Sequence, residues 1–160
     1  IAYMLQRDFE KFIAAGERSL EFSPNNVNHL SLYAWGLTHV RQYERARLLI
    51  DKALKLQPFY QAWWQNIVAM SNFWLGNYDT ALEAIEIVYA RTPDHNFTLV
   101  YKTVILGAMG RTEAARAAGE DLLNRQPDFT IDNWLENNDT FQNPEDAARI
   151  RSLLEAAGVS

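Results

Sequence analysis

Three histidines are the first place to look for chemistry, because imidazole titrates near neutrality and is the commonest metal ligand. His29, His39 and His95 stand 10 and 56 residues apart, so no pair has the i, i+3 or i, i+4 spacing that sets two ligands on one helix face. The chain has no cysteine, which excludes disulfides, thiolate metal sites and a cysteine nucleophile. Gly107 and Gly110, in the run GAMGR, suit a helix end and a turn better than a phosphate cradle. Neither a Walker loop nor a GxSxG elbow occurs. Asn96-Phe97-Thr98 and Asn138-Asp139-Thr140 match the glycosylation sequon, a pattern short enough to arise by chance. These residues predict no catalysis, no cofactor and no metal.

Binding chemistry is better represented. Aromatic residues make up 12% of the chain, with five Trp. Trp63 with Trp64, and Phe73 with Trp74, are adjacent pairs whose side chains must point about 100° apart on a helix, so both members cannot enter one packed layer. Core packing is the ordinary explanation for any one of these rings, and it is the adjacency that argues for a surface. The candidate binding residues are Trp35, His39, Trp63, Asn66, Met70, Phe73, Trp74 and Tyr101, with Asn28 and Ser31 as further lining.

Charge narrows the partner. A formal charge of −5 and a pI near 5.2 disfavour nucleic acid, whose phosphates need clustered Lys and Arg. No apolar run approaches the roughly 18–20 residues that span a bilayer, the best stretch, Thr98–Met109, being broken by Lys102 and Gly107. The chain opens on Ile1, without Met or a basic segment before an apolar run, and so reads as a piece of a longer protein. The expected compartment is the cytoplasm, although cysteine-free domains also suit the periplasm.

The elements that position these residues follow from the prolines. Pro24, Pro58, Pro93 and Pro127 are separated by 34, 35 and 34 residues. Twelve residues before each stand Phe12, Ala46, Ala81 and Ala115, and seventeen before each Arg7, Arg41, Gly76 and Gly110. Tyr43–Pro58, Tyr78–Pro93 and Arg111–Pro127 carry apolar residues at helical spacing, Ala81, Ile85 and Val88 forming one stripe and Asp79, Glu83 and Glu86 another. A period near 34 is that of the tetratricopeptide repeat, a helix–turn–helix unit in which a small residue lets the paired helices approach.

The resemblance implies an all-α, right-handed superhelical solenoid of antiparallel helix pairs, one domain over 1–160. Its expected divisions are a truncated first repeat (1–24), full repeats (25–58, 59–93 and 94–127) and a C-terminal cap (128–160). First helices are expected at Asn26–His39, Gln61–Leu75 and Asn96–Met109, and the whole predicts seven long helices, a short eighth after Phe129 and a ninth ending near Gly158. Asp8–Phe22 is then a second helix whose partner is cut to Ile1–Gln6, leaving Tyr3, Met4 and Leu5 exposed or covered by a second copy. NNDTFQNP reads as a loop, and Asn143-Pro144-Glu145-Asp146 as a helix N-terminus.

First helices line the concave groove of such a solenoid, which puts the candidate residues there. Lys102 is the only Lys or Arg within a full first helix. That disfavours a clamp for a terminal carboxylate and favours an apolar or aromatic-rich protein segment. ERSLEFSPNN, RQYERARLLIDKALKLQPFYQAWW and the tail from Leu106 to Leu135 with FQNPEDAARIRSLLEAAGV resemble the repeat region attached to bacterial class III adenylate or guanylate cyclases and some winged-helix regulators. That resemblance, over Glu17–Val159, implies a regulatory interaction module beside an effector domain. The rival readings are an architectural or homodimerising module, pairing through the truncated repeat, and a small-molecule sensor with an aromatic pocket.

Overall fold

A computed structural model of the protein describes residues 3, 6, 8–137 and 143–160. Among them there is no strand. After α1 (Phe9–Phe22) come three helix pairs: α2 (Val27–His39) with α3 (Tyr43–Leu56), α4 (Trp64–Trp74) with α5 (Tyr78–Arg91), and α6 (Asn96–Ala108) with α7 (Thr112–Arg125). The short α8 (Ile131–Asn137) and α9 (Pro144–Ala156) follow. Among the described residues the helix count and order match the sequence expectation. The readings for Met4, Leu5, the second sequon and most of the loop before Asn143 fall outside the described residues.

Each helix pair closes in the same way. The backbone N–H of Gln42 bonds the carbonyl of Leu37, that of Asn77 the carbonyl of Asn72, and that of Arg111 the carbonyl of Leu106, at 2.8–3.0 Å. This six-to-one closure needs a left-handed residue just before the donor. Gly76 and Gly110 supply it with φ of 81° and 71°, and Arg41 adopts it at φ 61° without the freedom of glycine. The second helices therefore begin without any side-chain cap on their backbone. α2 and α9, which start from loops, use Asn26 and Asn143 as side-chain caps instead.

Packing follows the repeat. Each helix contacts its partner and then the first helix of the next pair, the nearest-neighbour logic of a solenoid. Ala46, Ala81 and Ala115 are buried, as are Ile85 and Val88, while Asp79, Glu83 and Glu86 face solvent. Phe12 holds the corresponding position in α1, and Gly36 makes the room: a Cβ there would lie 2.0 Å from the Phe12 ring. One continuous core runs from Leu30 through Ile67, Phe73 and Tyr101 to Ile150 and Val159.

One boundary differs from expectation. α4 starts at Trp64, three residues after the expected Gln61. Between them the N–H groups of Trp64, Gln65 and Asn66 bond carbonyls three residues back, those of Gln61, Ala62 and Trp63, a tighter entry than the α-helical one. That first turn fixes the facing of the two tryptophans, Trp64 inward and Trp63 half-exposed.

Candidate functional site

Trp63, just before α4, is followed by Asn66, Met70 and Trp74 at steps of three, four and four, so these side chains share one side of the helix, with Phe73 about 100° from Trp74. Trp63 is half-buried, its indole N–H donating to Gln61 Oε1 at 2.6 Å. One turn on, Asn66 is 7% exposed and its Oδ1 accepts no hydrogen bond. Buried carbonyl oxygens of this kind are nearly always satisfied in folded proteins. On α2, Trp35 is half-buried and stacks obliquely on His39 with ring centroids 4.7 Å apart.

His39 is 4% exposed, with Nδ1 3.0 Å from the Trp35 carbonyl oxygen. Burial lowers its pKa to about 4, against the backbone bond, which raises it. The imidazole is therefore neutral at pH 7 and acts as a polar packing group. Among the described residues no group of three or more His, Cys, Asp or Glu could hold a metal ion, and no helix is long and apolar enough to cross a membrane.

The expected surface needs correction at three residues. Met70, Phe73 and Tyr101 have no exposed surface. Met70 receives the Thr38 hydroxyl at its sulfur, 3.8 Å away. Phe73 and Tyr101 pack edge to face with centroids 6.0 Å apart, and Tyr101 stacks on Phe97 at 4.6 Å. Burial of the Tyr101 hydroxyl, opposed by a hydrogen bond from Trp74, drives its pKa far above the ordinary tyrosine range. Adjacent first helices stand so close that their facing rings fill the space between them. Trp35, Trp63 and Trp74 keep an exposed edge, and Asn66 is almost enclosed.

Lys102 does not serve this face. Its ammonium lies 3.7 Å over the Tyr89 ring and 3.2 Å from Glu86, both on α5. The cation beside the aromatic face comes from α9. Arg149 places its guanidinium carbon 5.0 Å from the Phe73 centroid and 5.4 Å from that of Trp74, and donates to the Tyr78 hydroxyl at 2.8 Å. Asp146, 5% exposed, accepts from the Tyr43 hydroxyl at 3.0 Å with Arg41 Nε at 3.8 Å. Tyr43 in turn stacks on Trp74, 5.7 Å between centroids. Burial first, and the Asp146 charge next, raise the Tyr43 pKa far above the usual range. Sequence reasoning missed Arg41, Tyr43, Tyr78, Asp146 and Arg149 as parts of this face. A signal existed in Asp146, an acid on the apolar side of its helix.

A separate cleft of about 530 Å³ is lined by Glu44, Arg47, Asp51, Asn72 and Thr80 among others. Its Arg47 and Asp51 already pair at 3.1 Å, so it offers no unmet polar group comparable to Asn66.

No protein-family model and no curated protein matches the chain. Solved structures do. A crystal structure of MamA superposes with a TM-score of 0.70 at 18% identity, covering 98% of this chain and 90% of that one. A second MamA structure gives 0.69 at 18% identity, over 98% and 84%. MamA residues 41 to the end from Desulfovibrio magneticus RS-1 gives 0.62 at 16% identity, over 93% and 94%. At these identities the similarity speaks for the fold, and with the repeated pair closure it identifies an all-α helical-repeat solenoid of the tetratricopeptide type.

Proposed function

We propose that the chain is a non-catalytic protein-interaction module, cytoplasmic and without cofactor, whose concave face takes a peptide segment from another protein. The half-exposed tryptophans Trp35, Trp63 and Trp74 carry the reading: they supply rigid aromatic area at low entropic cost, which an apolar or aromatic-rich segment covers. Asn66, on the same side of α4 as Trp63, keeps a buried carbonyl oxygen unmet, and a backbone N–H of the segment meets it once that side chain turns outward. His39, Met70, Phe73 and Tyr101 form the floor beneath. A regulatory use is part of this proposal, with a neighbouring effector domain as one source of the segment.

Selection of peptides from a display library on the intact chain, followed by calorimetry on Trp63→Ala and Asn66→Ala, tests this. The selected segment should lose at least tenfold in affinity, about 1.4 kcal/mol, with either variant. Equal binding by all three proteins counts against the site.

A homodimer through the N-terminal edge is favoured by one observation. Phe22 is 82% exposed, and Tyr3 and Leu32 lie open near it on the α1 side. Light scattering at high concentration that gives a monomer mass removes that reading.

A further inference from the structure

α9 does more than cover the last repeat. One face of it reaches three successive helix pairs in order. Asp146 meets Tyr43 and Arg41 at the first pair's turn. Arg149 meets Phe73, Trp74 and Tyr78 at the second. Leu153 lies against Gly107 at the third, where an added Cβ would stand 3.3 Å from Leu153 Cδ2. Ile150 and Leu154 between them are fully buried in the main core. Positions 146, 149, 150, 153, 154 and 157 advance as a single helical stripe, the pattern of an amphipathic helix laid into a groove.

The chemistry of the seat is specific. The aromatic cluster of Phe73, Trp74, Tyr43 and Tyr78 attracts a cation through its ring faces and one phenol oxygen, and no first helix supplies that cation, since Lys102 is turned onto α5. The Tyr43 hydroxyl and the Arg41 guanidinium converge on a carboxylate one helical turn earlier. Gly107 leaves space for a branched side chain one turn later. Acid, then Arg with an aliphatic beside it, then paired aliphatics, is therefore what this end of the groove reads.

We propose that this end of the concave face is a helix-recognition site, that α9 is its resident occupant, and that its outside ligand is an amphipathic helix of another protein with the pattern acid-x-x-Arg-aliphatic-x-x-aliphatic-aliphatic. The proposal deepens the groove reading above and rests on it. A partner helix with this pattern replaces α9 contact for contact, so the exchange is decided by the tether. α9 is held at an effective concentration of millimolar order, which keeps the intact chain's apparent affinity low. Arg149, whose side chain is exposed at the rim, is the contact most easily loosened.

The test uses the full chain and a fluorescein-labelled synthetic peptide of residues 143–160 as probe. Anisotropy titrations compare the intact chain, the chain carrying Asp146→Ala with Arg149→Ala, and that variant with Trp74→Ala added. The double variant should bind the probe at least tenfold more tightly than the intact chain, and Trp74→Ala should reverse the gain. Equal affinity for intact and double-variant chains, both with native helical circular dichroism, overturns the proposal. If the double variant does not fold, hydrogen exchange on Arg149→Gln decides: faster exchange across α9 with α6 unchanged supports it, and unchanged α9 protection overturns it. A display-selected segment that still binds through Trp63 when the probe result is negative leaves the groove reading standing and removes only the resident helix.

Discussion

Arg41 occupies a backbone position that the other two turns give to glycine. A left-handed non-glycine residue costs roughly 1–2 kcal/mol, and glycine returns about half of that as unfolded-chain entropy. The compensating contact is slight, a half-exposed guanidinium 3.8 Å from Asp146. Arg41→Gly should therefore raise the melting temperature by about 1–4 °C, whereas Arg41→Ala, which keeps the strain and loses the ion pair, should not. A lower melting temperature for the glycine than the alanine variant would refute this reading of the turn. His39 gives the opposite lever. Its folded pKa near 4 lies below the ordinary imidazole value of 6.5, so the unfolded chain binds the extra proton first. Stability from this group is whole above pH 6.5 and falls as pH drops toward 4, by about 2 kcal/mol at pH 5. Urea melts at pH 7 and 5 should show that loss in the parent and a smaller one in His39→Gln.

At the scale of elements, the small residues at the helix crossings decide what fits. Ala81 has no exposed surface, and Ala81→Leu should cost on the order of 1–3 kcal/mol by overpacking; an unchanged melting curve would refute the crossing assignment. Gly119 is a sharper case, because in a helix interior Gly→Ala ordinarily gains about 1 kcal/mol. A Cβ there would stand 2.9 Å from the Ala157 carbonyl oxygen and 3.0 Å from Val159, and backbone at that distance cannot turn aside. Gly119→Ala should therefore destabilise, with faster amide exchange confined to the residues after α9. These elements were legible because repetition imposes them: every unit must seat the same neighbour, so the prolines, the alanines and two of the three turn residues recur. The start of α4 was not, since three backbone bonds to carbonyls three residues back leave no periodic trace. Nor were the buried states of Met70, Phe73 and Tyr101, because helical spacing shows which residues share a face and says nothing of what lies over that face. The half-exposed Trp63 beside buried Trp64 was foreseeable from geometry, and Asp146 could have been suspected from its position among apolar neighbours.

Across the whole molecule, a solenoid built only on nearest neighbours can unfold unit by unit. α9 removes that independence by touching all three pairs, through a bond between residues 103 positions apart. The parent should melt in one transition, and loosening Asp146 and Arg149 together should broaden it or split off an early step at the first pair. Calorimetry with equal widths for both proteins would contradict this. The same long-range bond has a meaning in time as well as in space. Synthesis proceeds from the first helix to the last, at about 5–20 residues per second, and contacts that close a long loop form late. The aromatic face of α4 is complete several seconds before the helix that covers it has been made. Under the proposed helix-recognition reading, a nascent chain thus passes through an interval in which this face is uncovered, and a helix of the right pattern present then would meet it without competition.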